Sequence, residues 1–336
     1  MKQFSDLDVI DVLCDSKHNG CMNTPGDSVI HSPFHAGEQA LQHDTGAFGT
    51  LSVAGPRVIR DHMPDQHRTF FEQLPWLVVG ALDSTGQPWA WALAGPPGFM
   101  QSPDPHRLVV NAPVATRGTQ AGVLEPGAPV GLLGIEPHTR RRNRMNGVVQ
   151  AADDAGFSVR VGQSFGNCPR YIQAREPQWA GPWAPGPLQE AADVDDAART
   201  LIGQADTFFI ATAHPDAGRQ SAVAHGVDVS HRGGRPGFVR WASDGTLQVP
   251  DYSGNHFFNT LGNLLLQPRC GLLFVDFDSG TLVQLAARAE LVMDGPALRD
   301  HAGAQRLLVL HVLAMRRSVA ALPLRWGLAT PSPALP

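Results

Sequence analysis

A weak internal repeat constrains the fold of this chain more than any other feature of its sequence. Each half contains an amphipathic stretch, a short apolar run, a tight turn with Asp and Gly, and a second strand-like run. This order predicts helix, strand, turn and strand. The strand-like runs are Trp76–Leu82 and Pro88–Leu93 in the first half, and Thr207–Thr212 and Ser221–Val229 in the second.

Two later matches between the halves keep a constant spacing. Gly131 matches Gly271, and Gly147 falls where Ala287 falls, so both pairs are 140 residues apart. A spacing that holds across several elements is the signature of a duplicated unit. We therefore predict a mainly β chain made of two similar halves.

The duplication sets the expected domain boundaries. The segment from Glu176 to Pro187 is rich in Pro and Trp. Its prolines predict a linker without regular structure, because proline disrupts both helices and strand ladders. The expected units are an N-terminal segment at 1–30, a first half at 31–175, a linker at 176–192 and a second half at 193–330.

The charge composition excludes several classes of protein. The 336 residues carry a net charge of −5, so the chain lacks the basic surface that nucleic-acid binding requires. Its only lysines are Lys2 and Lys17, whereas a phosphate-cradling P-loop or a pyridoxal phosphate site needs a lysine of its own. Arginine must therefore supply the cations of any anion site.

The cysteines and the apolar runs indicate a reducing compartment. The four cysteines, Cys14, Cys21, Cys168 and Cys270, form no C-x-x-C pair, and we expect free thiols. A zinc site from Cys14, Cys21, His18 and His31 is the less favoured alternative. No secretory signal and no 18-residue apolar run is recognisable, so we expect a cytoplasmic protein without membrane contact.

A polar loop in the second half has the composition of an anion site. A strand-like run at 237–240 is followed by a loop and amphipathic stretch at 249–263, and then by an apolar run at 271–277. The loop carries Ser253, Gly254 and Asn255, whose backbone N–H groups and side chains can converge on one phosphate where a helix begins. The alternative interpretation is an ordinary surface turn of the same composition.

Three sequence blocks resemble one known family. They are HSPFHAGE at 31–38, FGNCPRYI at 165–172 and PDYSGNHFFNTLGN at 250–263. Together they resemble a branch of the pyridoxamine 5′-phosphate oxidase-like family of FMN-binding split β-barrels. The resemblance implies tandem FMN-binding split β-barrels that form an intrachain pseudo-dimer, with the flavin at the seam.

The resemblance implies a flavoprotein without naming its reaction. An FMN-dependent oxidoreductase acting on a small molecule is the favoured function, with a nicotinamide or ferredoxin-type electron donor. A haem-binding or haem-degrading protein and a non-catalytic flavin-binding protein are the alternatives, because this fold hosts all of them. The family's usual lysine for the phosphate is absent here, so we expect that pyridoxamine 5′-phosphate is not the substrate. A homodimer is an open alternative.

The candidate cofactor residues follow from the loop and from the resemblance. We expect Arg240 or Arg288 to replace the missing lysine, and we expect side chains beside the FGNCPRYI block, including Arg170, to face the flavin across the seam. Ser221 and His225 share one face of a predicted strand. No catalytic acid or base is predicted. The candidates are Ser221, His225, Arg240, Asp251, Ser253, Gly254, Asn255, Asn259, Asn263, Asn167 and Tyr171.

Three further expectations concern single residues. His35 and Glu38 follow Pro33, which favours a helix cap over a metal site, and we predict no metal. Arg325 resembles an arginine in the family's C-terminal tail and is a candidate contact for a substrate anion. Most histidines, including His231, stand in polar, turn-like contexts, and we expect them to be solvated. The first half lacks a Ser-Gly-Asn triplet, so one site should be functional and its twin degenerate.

Overall fold

A computed structural model describes residues 32–113, 123–181, 183–219 and 222–335. The predicted N-terminal segment, the alternative zinc site and Ser221 lie outside these residues. The strands are β1 Trp76–Leu82, β2 Pro88–Ala94, β3 Met100–Asp104, β4 Arg107–Val110, β5 Pro129–Glu136, β6 Arg141–Ala152, β7 Phe157–Gly166, β8 Pro177–Trp179, β9 Leu188–Ala191, β10 Thr207–Ala213, β11 Val227–Gly233, β12 Arg240–Trp241, β13 Leu247–Asp251, β14 Arg269–Val275, β15 Leu282–Val292, β16 Arg306–Ser318 and β17 Leu324–Trp326. The helices are α1 Ala36–Asp44, α2 Phe48–Val58, α3 Asp65–Gln73, α4 Asp196–Gln204, α5 Asn259–Leu266 and α6 Pro296–Arg299.

Two antiparallel sheets have the same strand order. The first sheet runs β2-β1-β5-β6-β7-β4-β3, and the second runs β11-β10-β14-β15-β16-β13-β12, with β9 added beside β16. Each strand of the first sheet thus has one counterpart in the second, nine strands later in the chain. The structure confirms the predicted mainly β fold with two similar halves.

The central strands are apolar throughout because both of their faces are buried. Leu77 and Val79 of β1 pack into the core of the first half, whereas Val78 packs into a third core at the seam. Phe209 of β10 lies in the same seam core, opposite the face of β10 that packs into the second half. Such a strand shows a continuous apolar run and not an alternating one.

The two sheets approach each other closely at two glycines. A Cβ atom at Gly131 of β5 would lie 2.6 Å from the carbonyl oxygen of Val227 on β11. A Cβ atom at Gly271 of β14 would clash with the carbonyl oxygen of Pro88 on β2. Each glycine therefore lets its strand lie against the backbone of the other half.

Part of the predicted linker is regular structure. Pro177 begins β8, which pairs with β17 through Trp326, and β9 pairs with β16. The prediction that residues 176–187 lack regular structure is wrong for β8. Proline is tolerated at the first residue of a short edge strand, because no ladder partner needs its missing N–H group there.

The predicted strand over Ser221–Val229 begins later than expected. In the structure β11 starts at Val227, which pairs with Ala213 at the end of β10. Residues 222–226 form a turn that includes His225 and belong to no strand. Among the described residues, no helix is long and apolar enough to cross a membrane.

Candidate functional site

A cleft of about 950 Å³, including its open mouth, lies at the seam between the two halves. Both halves contribute walls, as the sequence predicted for the loop at 249–263 and the segment at 164–171. The first half contributes Leu133, Arg142, Arg144, Asn167, Cys168, Arg170 and Tyr171. The second half contributes residues of β11, the end of β13, the following loop, the first turn of α5, and Gln305 and Arg306.

The lining of the cleft has a large excess of positive charge. Arg142, Arg144, Arg170, Arg232 and Arg306 line it, against a single acidic residue, Asp251. Since the whole chain has a net charge of −5, this concentration of arginine is local. Clefts lined by one sign of charge attract ligands of the opposite sign, so the cleft is suited to an anion.

Arg142 is the least compensated of these cations. Its Nε donates to the Cys168 carbonyl oxygen at 2.9 Å, and its Nη1 donates to Nδ1 of His231 at 3.0 Å. No carboxylate of the described residues forms an ion pair with it, and burial lowers its pKa to about 10. A partly buried cation without a counter-ion loses hydration that no opposite charge replaces, which makes Arg142 a natural partner for an anionic ligand.

His231 is buried and neutral. Burial first, and then the charges of Arg142, Arg232 and Arg175, hold the pKa of His231 well below its usual range. Its Nδ1 accepts the hydrogen bond from Arg142, so the ring proton sits on Nε2. The expectation of a solvated His231 is wrong, because the residue lies on β11 opposite Phe209 of β10.

Two arginines of the cleft share one carboxylate. Asp251 accepts from Arg306 Nη1 at 2.9 Å through Oδ2 and from Arg232 Nη1 through Oδ1. Asp251 and Arg306 are each 5% exposed. One negative charge therefore balances two positive ones, and the group retains a net positive charge.

Arg144 connects the halves through a buried polar network. Its Nη1 donates to Asp228 Oδ1 at 3.0 Å and to Asn259 Oδ1 at 2.7 Å, and its Nη2 donates to the Ser230 hydroxyl. Asn263 Nδ2 donates to the other Asp228 oxygen at 3.0 Å. Burial lowers the pKa of Arg144 and nearby Asp228 raises it. The network fixes a first-half cation in a wall built largely by the second half.

The first turn of α5 adds a backbone anion site. Asn259, Thr260 and Leu261 line the cleft, and the N-cap residue Phe258 makes no side-chain capping hydrogen bond. The first N–H groups of an uncapped helix have no partner inside the helix and favour anions. The polar loop therefore leads directly into the helix start that lines the cleft, and phosphate binding there stays a prediction.

Three aromatic residues of the cleft have left-handed backbone conformations. Tyr171, His256 and Phe258 have φ angles of 66°, 60° and 62°. Such conformations are unfavourable for bulky L-residues and concentrate at functional sites. The Tyr171 hydroxyl donates to the Ser253 carbonyl oxygen at 2.9 Å, and the Tyr171 and Tyr252 rings lie 5.4 Å apart. The chain's only two tyrosines therefore form one wall of the cleft.

Most of the candidate residues meet at this cleft. Asn167, Tyr171, Asp251, Ser253, Gly254, Asn255 and Asn259 all line it. Arg170 donates to Ser253 Oγ at 3.5 Å across the seam. The Asn255 side chain accepts from the Phe257 N–H at 3.2 Å, so its oxygen supports the loop.

Five of the predicted residues lie elsewhere. Asn263 is fully buried behind the cleft, in the network around Asp228. Arg240 is exposed on the short strand β12 and donates to the Asp300 carbonyl oxygen. Arg325 donates to the Leu322 and Leu324 carbonyl oxygens beside β17. His225 stacks on His214 with ring centroids 3.8 Å apart. Arg288, the alternative to Arg240, pairs with Arg269 on β14 and does not line the cleft.

His214, Asp216 and His225 form a compact group of metal-ligand types, with ligand atoms within 4.8 Å of one another. The Asp216 N–H donates to Nδ1 of His214 at 3.1 Å, so the proton of this neutral ring sits on Nε2. A metal-bound histidine instead donates from its second nitrogen. The hydrogen bonding of His214 therefore differs from that of a metal-bound histidine, and His214 and His225 form a stacked pair of rings.

The structure adds cations that the sequence interpretation missed. Arg142 and Arg144 are two residues apart on β6 and share one face of the strand. This spacing is visible in the sequence, but the partners of the two arginines come from the other half of the fold. Arg232 and Arg306 lie on separate strands, and only the fold brings them to the same aspartate.

The pseudo-equivalent position at the seam carries uncharged residues where the cleft carries Arg142, Arg144 and Arg232. The strand registers align β6 with β15 and β2 with β11. Gln284 replaces Arg144, and its Nε2 donates across the seam to the Ala90 carbonyl oxygen at 2.8 Å. These places of the twin position thus carry apolar and uncharged groups. Arg142, Ser230, His231 and Arg232 correspond to Leu282, Trp91, Ala92 and Leu93.

Comparison with known proteins gives one family match. The family model described as pyridoxamine 5′-phosphate oxidase matches residues 194–323. No curated protein sequence matches the chain.

Several solved structures resemble a part of the chain. A putative pyridoxamine 5′-phosphate oxidase from Lactobacillus delbrueckii is 17% identical, with 37% of this chain and 94% of that one covered and a TM-score of 0.28. An FMN-binding protein from Syntrophomonas wolfei is 11% identical, with 35% and 86% covered and a TM-score of 0.25. The haem-storage protein HutZ from Vibrio cholerae is 11% identical, with 35% and 87% covered and a TM-score of 0.25.

The family match falls on the half that carries β10 to β16 and most of the cleft. Residues 194–323 thus match the pyridoxamine 5′-phosphate oxidase family, which confirms the resemblance found in the sequence.

Proposed function

We propose that this chain binds FMN in the seam cleft and uses it for redox chemistry on a small molecule. The observation that carries the proposal is the excess of arginine in the cleft, above all partly buried Arg142 without a carboxylate partner. The family match over residues 194–323 supports a flavin as the ligand.

The residues of the cleft fit such a ligand. A phosphate monoester needs cations and N–H donors, which Arg142 and the uncapped first turn of α5 supply. Arg144, Arg232 and Arg306 each have a buried Nε without a hydrogen-bond partner among the described residues. The buried Nδ2 of Asn167 is likewise without a partner there, and can donate to a polar ring atom.

The protein groups would bind, orient and shield the cofactor. Bound FMN supplies hydride chemistry at its N5 atom. The Tyr171 and Tyr252 rings offer a flat aromatic wall, and the seam core behind the cleft excludes water. His231 is held neutral, and its Nδ1 is occupied by Arg142, so it is not a proton donor through that atom. No acid or base is assigned to the reaction.

The proposed setting follows the sequence expectations. The substrate is a small molecule other than pyridoxamine 5′-phosphate, the electron donor is of nicotinamide or ferredoxin type, and the location is the cytoplasm. Haem binding and flavin binding without catalysis are the competing outcomes.

Calorimetry with FMN, FAD and haemin on the purified protein tests the proposal, together with its visible spectrum. We expect FMN to bind and to give the two-band flavin spectrum. Arg142→Gln should weaken FMN binding about tenfold or more, because it removes a charged hydrogen-bond donor. Arg240→Gln, outside the cleft lining, is the matched control and should bind normally. Absence of FMN binding to folded protein, or a strong Soret band with haemin alone, would overturn the proposal.

A further inference from the structure

Helix α1 packs directly on α5, the helix whose first turn lines the cleft. It lies outside residues 194–323, the segment of the family match. A Cβ atom at Gly37 would clash with the carbonyl oxygen of Gly262 on α5, and one at Gly262 would lie 2.6 Å from the Glu38 nitrogen. The two helices therefore touch through their backbones. Phe34, just before α1, packs edge-on against Phe257 of the cleft loop with centroids 5.5 Å apart.

Glu38 of α1 makes one local and one distant hydrogen bond. Its Oε2 accepts from the His35 N–H at 2.8 Å, while the His35 ring accepts from Gly37, which completes a capping box. Its Oε1 accepts from Asn259 Nδ2, 221 residues later in the chain. The helix cap predicted at His35 and Glu38 is confirmed. Glu38 is 2% exposed, more buried than capping requires.

Asn259 is the link between Glu38 and the cleft. Its Nδ2 donates to Glu38, and its Oδ1 accepts from Arg144 Nη1 at 2.7 Å. An acceptor on one side and a donor on the other permit only one orientation of the amide. Asn259 is also the first residue of α5 and lines the cleft.

We infer that Glu38 is a positioning residue of the cofactor site, which acts through Asn259 to hold Arg144 and the start of α5 in their binding arrangement. This inference rests on the proposed function. Without Glu38 the Asn259 amide can rotate and turn its NH₂ group toward Arg144, where two donors would face each other. Arg144 retains Asp228 and Ser230, so the site is weakened and not abolished.

A double-mutant cycle on FMN affinity tests this inference in the full chain. Glu38→Ala and Asn259→Ala should each weaken FMN binding about tenfold. The double variant should bind about as weakly as Asn259→Ala alone, because interacting residues are not additive. The visible circular dichroism of bound FMN should change in the same way in both single variants.

Leu41→Ala is the matched control on the same helix. Leu41 is 3% exposed and packs into the core of the second half, so this variant should lower the Tm without altering FMN affinity. If Glu38→Ala does not fold, Glu38→Met replaces it, since it keeps a similar volume but has no oxygen to accept from Asn259. Unchanged affinity in the folded Glu38 variant, or effects that multiply in the double variant, would overturn the inference. Absence of FMN binding by the unaltered protein would instead reject the proposed function.

Discussion

Gly131 and Gly271 occupy equivalent places in the two halves, and each lies against the backbone of the other half. Gly131 on β5 meets Val227 of β11, and Gly271 on β14 meets Pro88 of β2. The relationship is reciprocal, as in a symmetric dimer interface, but it occurs within one chain. The seam that holds the cleft is therefore part of the fold of each molecule.

Substitution of Gly131 by alanine tests the tightness of this seam. The added Cβ would lie 2.6 Å from a backbone oxygen that cannot rotate away. We expect Gly131→Ala to lower the free energy of unfolding by about 1–3 kcal/mol, as measured by urea denaturation. The control is Gly203→Ala in α4, where a Cβ meets no atom within 4 Å. That variant should be neutral or stabilised by up to about 1 kcal/mol. Equal effects of the two substitutions would contradict close packing at the seam.

Arg144 and Gln284 form a matched pair at equivalent positions. Arg144→Gln gives the cleft the residue of its twin, and we expect FMN affinity to fall about tenfold or more. The variant should also be less stable, because Asp228 loses its buried cation. Gln284→Ala removes the hydrogen bond to Ala90 and should lower the free energy of unfolding by about 1 kcal/mol, with FMN affinity unchanged. A loss of affinity in Gln284→Ala would show that the twin position also binds the cofactor.

Buried His231 predicts a specific pH dependence of stability. Its pKa in the folded protein is held well below the value of about 6.5 expected for the unfolded chain. Below pH 6.5 the unfolded state therefore binds a proton that the folded state does not, and stability falls as the pH falls. The free energy of unfolding should drop by up to about 1.4 kcal/mol per pH unit more in the unaltered protein than in His231→Gln. Urea denaturation at pH 7.5 and 5.5 measures the difference, and parallel losses in both proteins would contradict a buried neutral His231.

The sequence predicted those features that depend on local pattern. Apolar runs and Gly-containing turns marked β1, β2 and β10, and the Pro33-His35-Glu38 spacing marked the start of α1. The loop around Ser253 carried its own signal of short polar residues and glycine. Each of these features is set by residues close together in the chain.

The features that sequence reasoning missed depend on tertiary pairing. The start of β11 is set by where β10 ends, so His225 fell outside the strand. Arg240 is not among the residues that line the cleft, because β12 pairs with β13 at the edge of its sheet. Arg144 acquires its partners Asp228 and Asn259 only across the seam, which no local pattern encodes.

The stoichiometry of FMN binding is the most direct test of a single composite site at the seam. Flavin-free protein, at a concentration well above the Kd, is titrated with FMN and followed by calorimetry. The charged cleft and the uncharged residues at its twin position predict one FMN per chain. Two equivalent FMN molecules per chain, or no binding to folded protein, would contradict this account.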